Sequence, residues 1–337
     1  MRKNVRLSDI AERAGVSVVS VSKALNGKDG VSDGVRAKIK ELAAEMGYIA
    51  GSSSKIRGST GNIGVIVPAR FLTKNNSFYW EMYERIVDCL MACDYYTIFE
   101  SLRPEDEAAP ILPRMIRDRK IDGVILMGQL SGEYDRFFRS NAGWPSMRLD
   151  SYNSMYNRGA VISDGYYGMY MMTTYLLENG HRDISFVGTV GATSSISDRY
   201  FGYSRAMLEY GIKVTSDMVI PDRDSNGVLN VTLPEELPTA FVCNCDLTAF
   251  DVIAVLSKRK LRVPEDISIV GFDNYLLPTM SMPSITTYAV DMGGMASSCV
   301  ESLLCKISDD SYEPKMKIIT GHPVIRSSVR NIDRARE

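Results

Sequence analysis

From Leu7 to Ala14 the apolar positions Leu7, Ile10, Ala11 and Ala14 recur at the spacing that places them on one face of a helix. Gly15 interrupts the pattern, and a second short helix is predicted over Ser17–Leu25, with Ser17 placed to cap its first turn. A third is predicted over Ser32–Met46, with Ser32 as N-cap, Val35, Ile39, Leu42 and Ala43 as its stripe, and Gly47 as C-cap. Wound at about 100° per residue, the second helix turns Ser17, Val18, Val21, Ala24 and Leu25 toward its neighbours. Val19, Lys23 and Asn26 fall on the opposite side, flanked by Ser20 and Ser22. A valine facing solvent beside a lysine is either a stray surface residue or part of a face that meets a partner.

The stretch "GSSSKIRGSTG", residues 51–61, is too rich in Gly and Ser to bury much and reads as a linker. From Asn62 onward the pattern changes to short apolar strands, "IGVIVP", "DGVILM", "ISFVG", "TAFVC" and "ISIVGFD", alternating with amphipathic helices. Helices are predicted over Tyr79–Cys93, Tyr166–Asn179, Arg199–Tyr210, Leu247–Lys260 and Gly293–Lys306. Near-continuous apolar strands separated by helices predict parallel sheets covered on both faces. The fold class expected is a small all-α helix-turn-helix head joined to an α/β body with two parallel-sheet subdomains and a cleft between them.

Charge sharpens this picture. Residues 1–60 hold 11 Lys/Arg against 6 Asp/Glu, while the remainder holds 28 against 35. A basic head on an acidic body points to a polyanion as partner of the head alone. On that reading Val19 meets a thymine methyl, Lys23 a guanine O6/N7 edge, and Ser17, Ser20, Ser22 and Asn26 base edges or phosphates.

No run approaches the roughly 20 apolar residues of a membrane span, and no apolar stretch follows the positively charged start, so a cytoplasmic location is expected. With 45% hydrophobic and 24% charged residues, the composition is that of an ordinary globular protein. The six cysteines, in a chain with only two histidines, are expected to be reduced and buried, with no metal and no cofactor.

In open α/β sheets ligands bind past the carboxyl ends of the strands. Asp150 follows "SMRL", Asp246 follows "AFVCNC", Asp273 follows "ISIVGF", and Arg199 opens a helix near the end of "ISFVG". Carboxylates and a guanidinium converging there suit bidentate bonding to sugar hydroxyls, or to a base or carboxylate, and Phe78 and Tyr79 after "VIVP" suit stacking on a ring. Each acidic residue has an equally ordinary reading as a helix cap. Gly188 and Gly191 read as a strand-end turn, and His181 in "ENGHRDIS" sits at a helix end where partial positive charge is favourable. No nucleophile elbow or phosphate-loop motif points to catalysis.

The stretch "RLSDIAERAGVSVVSVSKALNG", continued by "VSDGVRAKIKELAAEMGY", resembles the N-terminal signature of the lactose/galactose repressor family. The segments "WPSMRLDSY", "AVISDGYYGM", "YLLENGHRDISFVG", "DRYFGYSRAMLEYG", "PTAFVCNCDLTA" and "VPEDISIVGFDN" follow in family order, so the resemblance spans the chain. It implies a DNA-binding head (residues 1–50), a hinge (51–61) and an effector-binding and dimerisation body (62–337) of the periplasmic-binding-protein-like fold. The body's lobes are expected over approximately 62–163 plus 292–322 and 164–291 plus 323–330, with the ligand between them. The resemblance adds Val18 to the operator-selecting positions Val19 and Lys23, and implies that Arg199 and Asp273 contact the effector. It places a minor-groove wedge near Ile56, since the family's leucine position holds Arg57; a merely flexible tether is the alternative. Arg6 stands where the family has a capping threonine, Cys245-Asp246 replaces Asn-Asp, and "PDRDSNGVLNVTLPEELPTA" contains little that forms a crossover helix.

The function expected is a sequence-specific DNA-binding transcriptional regulator, a repressor, acting as a homodimer on double-stranded operator DNA and modulated by a small molecule such as a sugar. The rival readings are a solute-binding protein of a transport system and a cytoplasmic sugar-modifying enzyme.

Overall fold

The computed structural model describes residues 7–25, 29–46, 59–72, 78–141, 143–152, 159–224, 227–275 and 283–332. The head forms three helices, α1 (Leu7–Ala14), α2 (Val18–Leu25) and α3 (Asp33–Glu45). Their shared core is Ile10, Ala11, Ala14, Val18, Val21, Ala24, Ile39 and Ala43. Gly15, at φ +71°, makes the α1–α2 turn in a conformation that side-chain-bearing residues rarely adopt. Ser17 caps α2 as its sequence suggests, its Oγ accepting from the Ser20 N–H at 3.0 Å. Ser32 precedes α3 without a side-chain capping bond, and Gly47 lies outside the described residues.

The chain divides into two compact units, residues 1–161 with 292–317 and residues 162–291 with 318–337. The first unit carries the head and β1 (Asn62–Pro68), α4 (Phe78–Ala92), β2 (Tyr96–Leu102), α5 (Pro104–Ala108), α6 (Arg114–Arg117), β3 (Gly123–Met127), α7 (Gly132–Asn141), β4 (Ser146–Leu149) and β5 (Ala160–Ser163). The second carries α8 (Gly165–Glu178), β6 (Ile184–Val187), α9 (Ser194–Glu209), β7 (Val219–Ile220), β8 (Ala240–Cys243), α10 (Asp246–Lys258), β9 (Ser268–Asp273) and β10 (Thr286–Ala289). The chain then forms α11 (Met292–Ser308), which belongs to the first unit, and the short strands β11 (Lys317–Ile319) and β12 (His322–Val324).

One sheet has the order β11-β5-β4-β3-β1-β2 and the other β12-β10-β9-β8-β6-β7. The same order thus appears twice. The ladders β1–β2, β1–β3, β3–β4 and β4–β5 are parallel, as are β6–β7, β6–β8, β8–β9 and β9–β10; β12 pairs antiparallel with β10 at the edge. Helical crossovers make such parallel pairing possible and cover both faces, so β3, β6, β8 and β9 are buried along their whole length. The predicted two-sheet α/β class is the one observed.

In each sheet the strand order reverses once, between β1 and β3 and between β6 and β8. A reversal leaves the two following loops diverging to opposite faces, and opens a crevice at the carboxyl ends of those strands. That topology places the segments after β1 and β3 together in one unit, and those after β6 and β8 together in the other.

Two elements depart from expectation. Thr193 caps α9, its Oγ1 accepting from the Ile196 N–H at 3.1 Å, so the helix starts at Ser194 and Arg199 lies inside it, where it was expected to open it. Between β7 and β8 the described residues form no helix, only an isolated Arg223–Leu229 bridge.

Candidate functional site

Two residues of the head's outer face are closed to solvent. Val19 is 5% exposed and Ser22 2%, although Val19 is absent from the head's own core. Helix α2 lies against α4 and α11, and the Ser22 hydroxyl donates to the carbonyl of Ala92, the last residue of α4. The final carbonyls of a helix have no partner within it, so Ala92 offers an acceptor that a serine can fill. The predicted exposure of Val19 and Ser22 is therefore corrected: the body covers them. Val18 packs into the head core, Ser20 is half-buried with its amide on Ser17, and Lys23 is half-buried, its Nζ 3.4 Å from the point where a Cβ on Gly30 would stand. Asn26 and Ile56 lie outside the described residues.

In the first unit, Phe71 and Tyr79 bring their rings to 5.1 Å at the β1/β3 reversal. Both pack on Gly128, where a Cβ would stand 2.9 Å from Phe71 and 3.2 Å from Tyr79, at φ +84°. The Tyr79 hydroxyl donates to Asp150 Oδ2 at 2.8 Å. Arg70 ion-pairs with the buried Glu107, donates to the Gln129 carbonyl and lies 4.9 Å over Phe71. Phe78 continues the row Met82, Ile86 and Leu90 on the buried face of α4 and is 8% exposed, while the next residue, Tyr79, reaches Asp150.

In the second unit, Arg199 and Asp273 meet. Arg199 Nη2 donates to Asp273 Oδ1 at 2.9 Å, Nη1 donates to the Asn244 carbonyl at 2.8 Å, and the guanidinium lies 4.0 Å over Phe272. Both charges are buried, so each requires the other. Asp150, Asp273 and Asn274 take φ of +58°, +100° and +57°. Such left-handed conformations at strand ends store strain that surrounding contacts must hold, and they cluster at functional sites.

Asp246, predicted as a ligand-binding residue, is buried beside them and supports the Asn274 turn. Its Oδ2 accepts from the Asn274 N–H at 2.9 Å, and its Oδ1 lies where a Cβ on Gly271 would collide, 2.1 Å away. Burial pushes its carboxyl up to about 7. Arg326 holds the other side of the turn, donating to Asn274 Oδ1 at 2.6 Å. Cys245 precedes α10 with Sγ 3.3 Å from Thr248 Oγ1, and burial, then Asp273, push its thiol up to about 11.

Sequence reasoning missed Phe71, Arg70, Gly128 and Asn244. The strand ends gave a signal for all four, because each lies within three residues of the end of a strand that flanks a reversal. His181 is fully buried with Nδ1 3.0 Å from Thr239 Oγ1 and Nε2 3.2 Å from the Arg330 carbonyl, so both ring nitrogens serve packing. Among the described residues no helix is long and apolar enough to cross a membrane.

Residues 6–50 match the family of bacterial regulatory proteins, lacI family, and residues 173–329 match the periplasmic binding protein-like domain. The HTH-type transcriptional repressor PurR of Vibrio campbellii is 26% identical over 342 residues, covering 97% of this chain and 99% of that protein. A solved transcriptional regulator CelR–cellobiose complex superposes with a TM-score of 0.69 at 21% identity, over 96% of this chain and 100% of that one. The lac repressor dimer bound to operator and the anti-inducer ONPF gives 0.65 at 20% identity, over 97% and 100%. A helix-turn-helix head on a doubled, parallel-sheet body is the plan of a ligand-responsive DNA-binding regulator. The chain's head belongs to the lacI family of bacterial regulatory proteins, and its body carries the periplasmic binding protein-like domain.

Proposed function

We propose that this protein is a transcriptional repressor that binds operator DNA through α2 as a homodimer in the cytoplasm, with affinity set by a neutral, hydroxyl-rich small molecule such as a sugar. The observation that carries the effector reading is the buried Arg199–Asp273 pair. A guanidinium and a carboxylate that neutralise each other offer both donors and acceptors suited to hydroxyl groups without selecting a charged ligand. The Phe71–Tyr79 pair beside Asp150 supports the same chemistry, since apolar sugar faces pack on aromatic rings. CelR was solved with cellobiose.

Ser17, Val19, Ser20, Ser22, Lys23 and Asn26 are proposed to face the major groove, with Ile56 as the minor-groove wedge, while Val18 packs into the head core behind them. With α2 held against α4 and α11, operator binding requires the head to leave that contact first. Two heads are needed for a pseudo-palindromic site. The exposed Trp80 (40%), stacked on Phe99 at 5.1 Å, and the exposed Tyr96 and Met91 supply an apolar surface suited to a second copy.

The chain is not an enzyme: its curated relatives are repressors. A transport binding protein has no use for the basic helix-turn-helix head. Thermal denaturation in the presence of cellobiose, ribose, glucose 6-phosphate and hypoxanthine tests the effector class, because a ligand bound only by the native state raises the melting temperature. A shift with a neutral sugar alone supports the proposal. A shift with only the phosphate ester or the purine contradicts it.

A further inference from the structure

Asp222 lies in the helix-free segment after β7 and is fully buried. Its Oδ1 accepts from the Thr189 N–H at 2.9 Å and Arg223 Nε at 2.9 Å. Its Oδ2 accepts from Asn244 Nδ2 at 2.6 Å, Arg223 Nη2 at 2.7 Å and Thr248 Oγ1 at 3.0 Å. Its backbone is held too: its N–H donates to Thr189 Oγ1 at 3.1 Å, and its carbonyl accepts from the Asn230 N–H at 2.8 Å. One carboxylate therefore ties together the ends of β6, β7 and β8 at the strand reversal. Burial alone would raise its pKa, but the Arg223 fork and the Thr189 bonds outweigh burial and leave it below the usual carboxylate range.

The consequence runs through Asn244. Its amide is fixed by Asp222, Thr248 and the Val187 carbonyl, the last at 3.2 Å, and its own carbonyl accepts from Arg199 Nη1 at 2.8 Å. Asn244 takes its position from one neighbour and gives it to the other. We propose that Asp222 is a positioning residue for the effector site, setting the direction of the Arg199 guanidinium through Asn244 and anchoring the segment that replaces a crossover helix. This rests on the effector reading of Arg199 and Asp273, and names a residue that holds the site without facing the ligand.

The test is the solvent exchange of the Arg199 Nε–H, followed by NMR on the full-length protein without ligand, well below its melting temperature. In Asp222→Asn, which preserves shape and removes charge, exchange at Arg199 should accelerate at least tenfold, while Arg148, a buried arginine paired with Asp135 in the other unit, is unchanged. Thr248→Val, which removes one donor to Asp222, should give a smaller change of the same sign and decides the matter if Asp222→Asn does not fold. A general loss of stability would move both arginines together and would overturn the proposal, as would an unmoved Arg199 in a folded variant. A cellobiose titration is the second arm, with weakening of tenfold or more expected in Asp222→Asn. If the unaltered protein ignores cellobiose, that result bears on the sugar reading alone, and the exchange measurement still decides the role of Asp222.

Discussion

The hydroxyl of Ser22 donates a hydrogen bond to the carbonyl oxygen of Ala92, fastening the helix with the proposed DNA-reading face to the end of α4. Burying one valine contributes about 1.5–3 kcal/mol and a hydrogen bond about 1 kcal/mol more. Ser22→Cys with Ala92→Cys, in a background where Cys89 and Cys93 are serine, should form a disulfide under mild oxidation. The bridged protein should lose operator binding, and reductant should restore it. Peptide mapping that finds no bridge, or a bridged protein that still binds, contradicts the contact.

Arg199→Met leaves Asp273 buried without its cation. Breaking a buried pair in this way costs about 3–5 kcal/mol, so the melting temperature should fall by several degrees and the response to effector should vanish, while operator binding persists below the transition. Arg199→Lys should not rescue the response, because an ammonium cannot reach both the Asn244 carbonyl and Asp273 with a planar fork. Operator titrations with and without effector check both.

Gly128→Ala adds a Cβ at φ +84° against Phe71 and Tyr79. The left-handed conformation alone costs about 1–2 kcal/mol, and the displaced rings should weaken effector binding beyond that loss. Calorimetric unfolding and ligand titration separate the two effects.

Asp246 makes stability depend on pH with an unusual sign. Burial holds its carboxyl near 7, above an ordinary carboxylate, so the folded chain keeps a proton that the unfolded chain has released. The stabilisation is complete below the unfolded value and is lost as pH rises through about 7. Between pH 5 and 8 the native protein should lose roughly 2 kcal/mol relative to Asp246→Asn. Denaturant titrations at both pH values measure the difference.

The parallel sheets and the strand-end placement of Asp150 and Asp273 were legible because a continuous apolar run followed at once by a polar residue marks a buried strand opening into a crevice. What the sequence did not disclose depends on steps too fine or contacts too distant for a local pattern. Phe78 and Tyr79 differ by one helical step, and only the full row through Met82 and Ile86 shows which ring is buried. Asp222 meets Asn244 and Thr248, 22 and 26 residues later. Val19 looked exposed because its cover comes from the body; the Ser22–Ala92 bond spans 70 residues.

That α2 reads DNA is decided by selecting duplexes from a random pool with the purified chain at physiological salt. The predicted result is an enriched two-fold symmetric site, and a Lys23→Ala variant that binds it at least tenfold more weakly with a relaxed preference at one base pair in each half. Failure to enrich any duplex, or a Lys23→Ala variant that selects the same site with equal affinity, would contradict it.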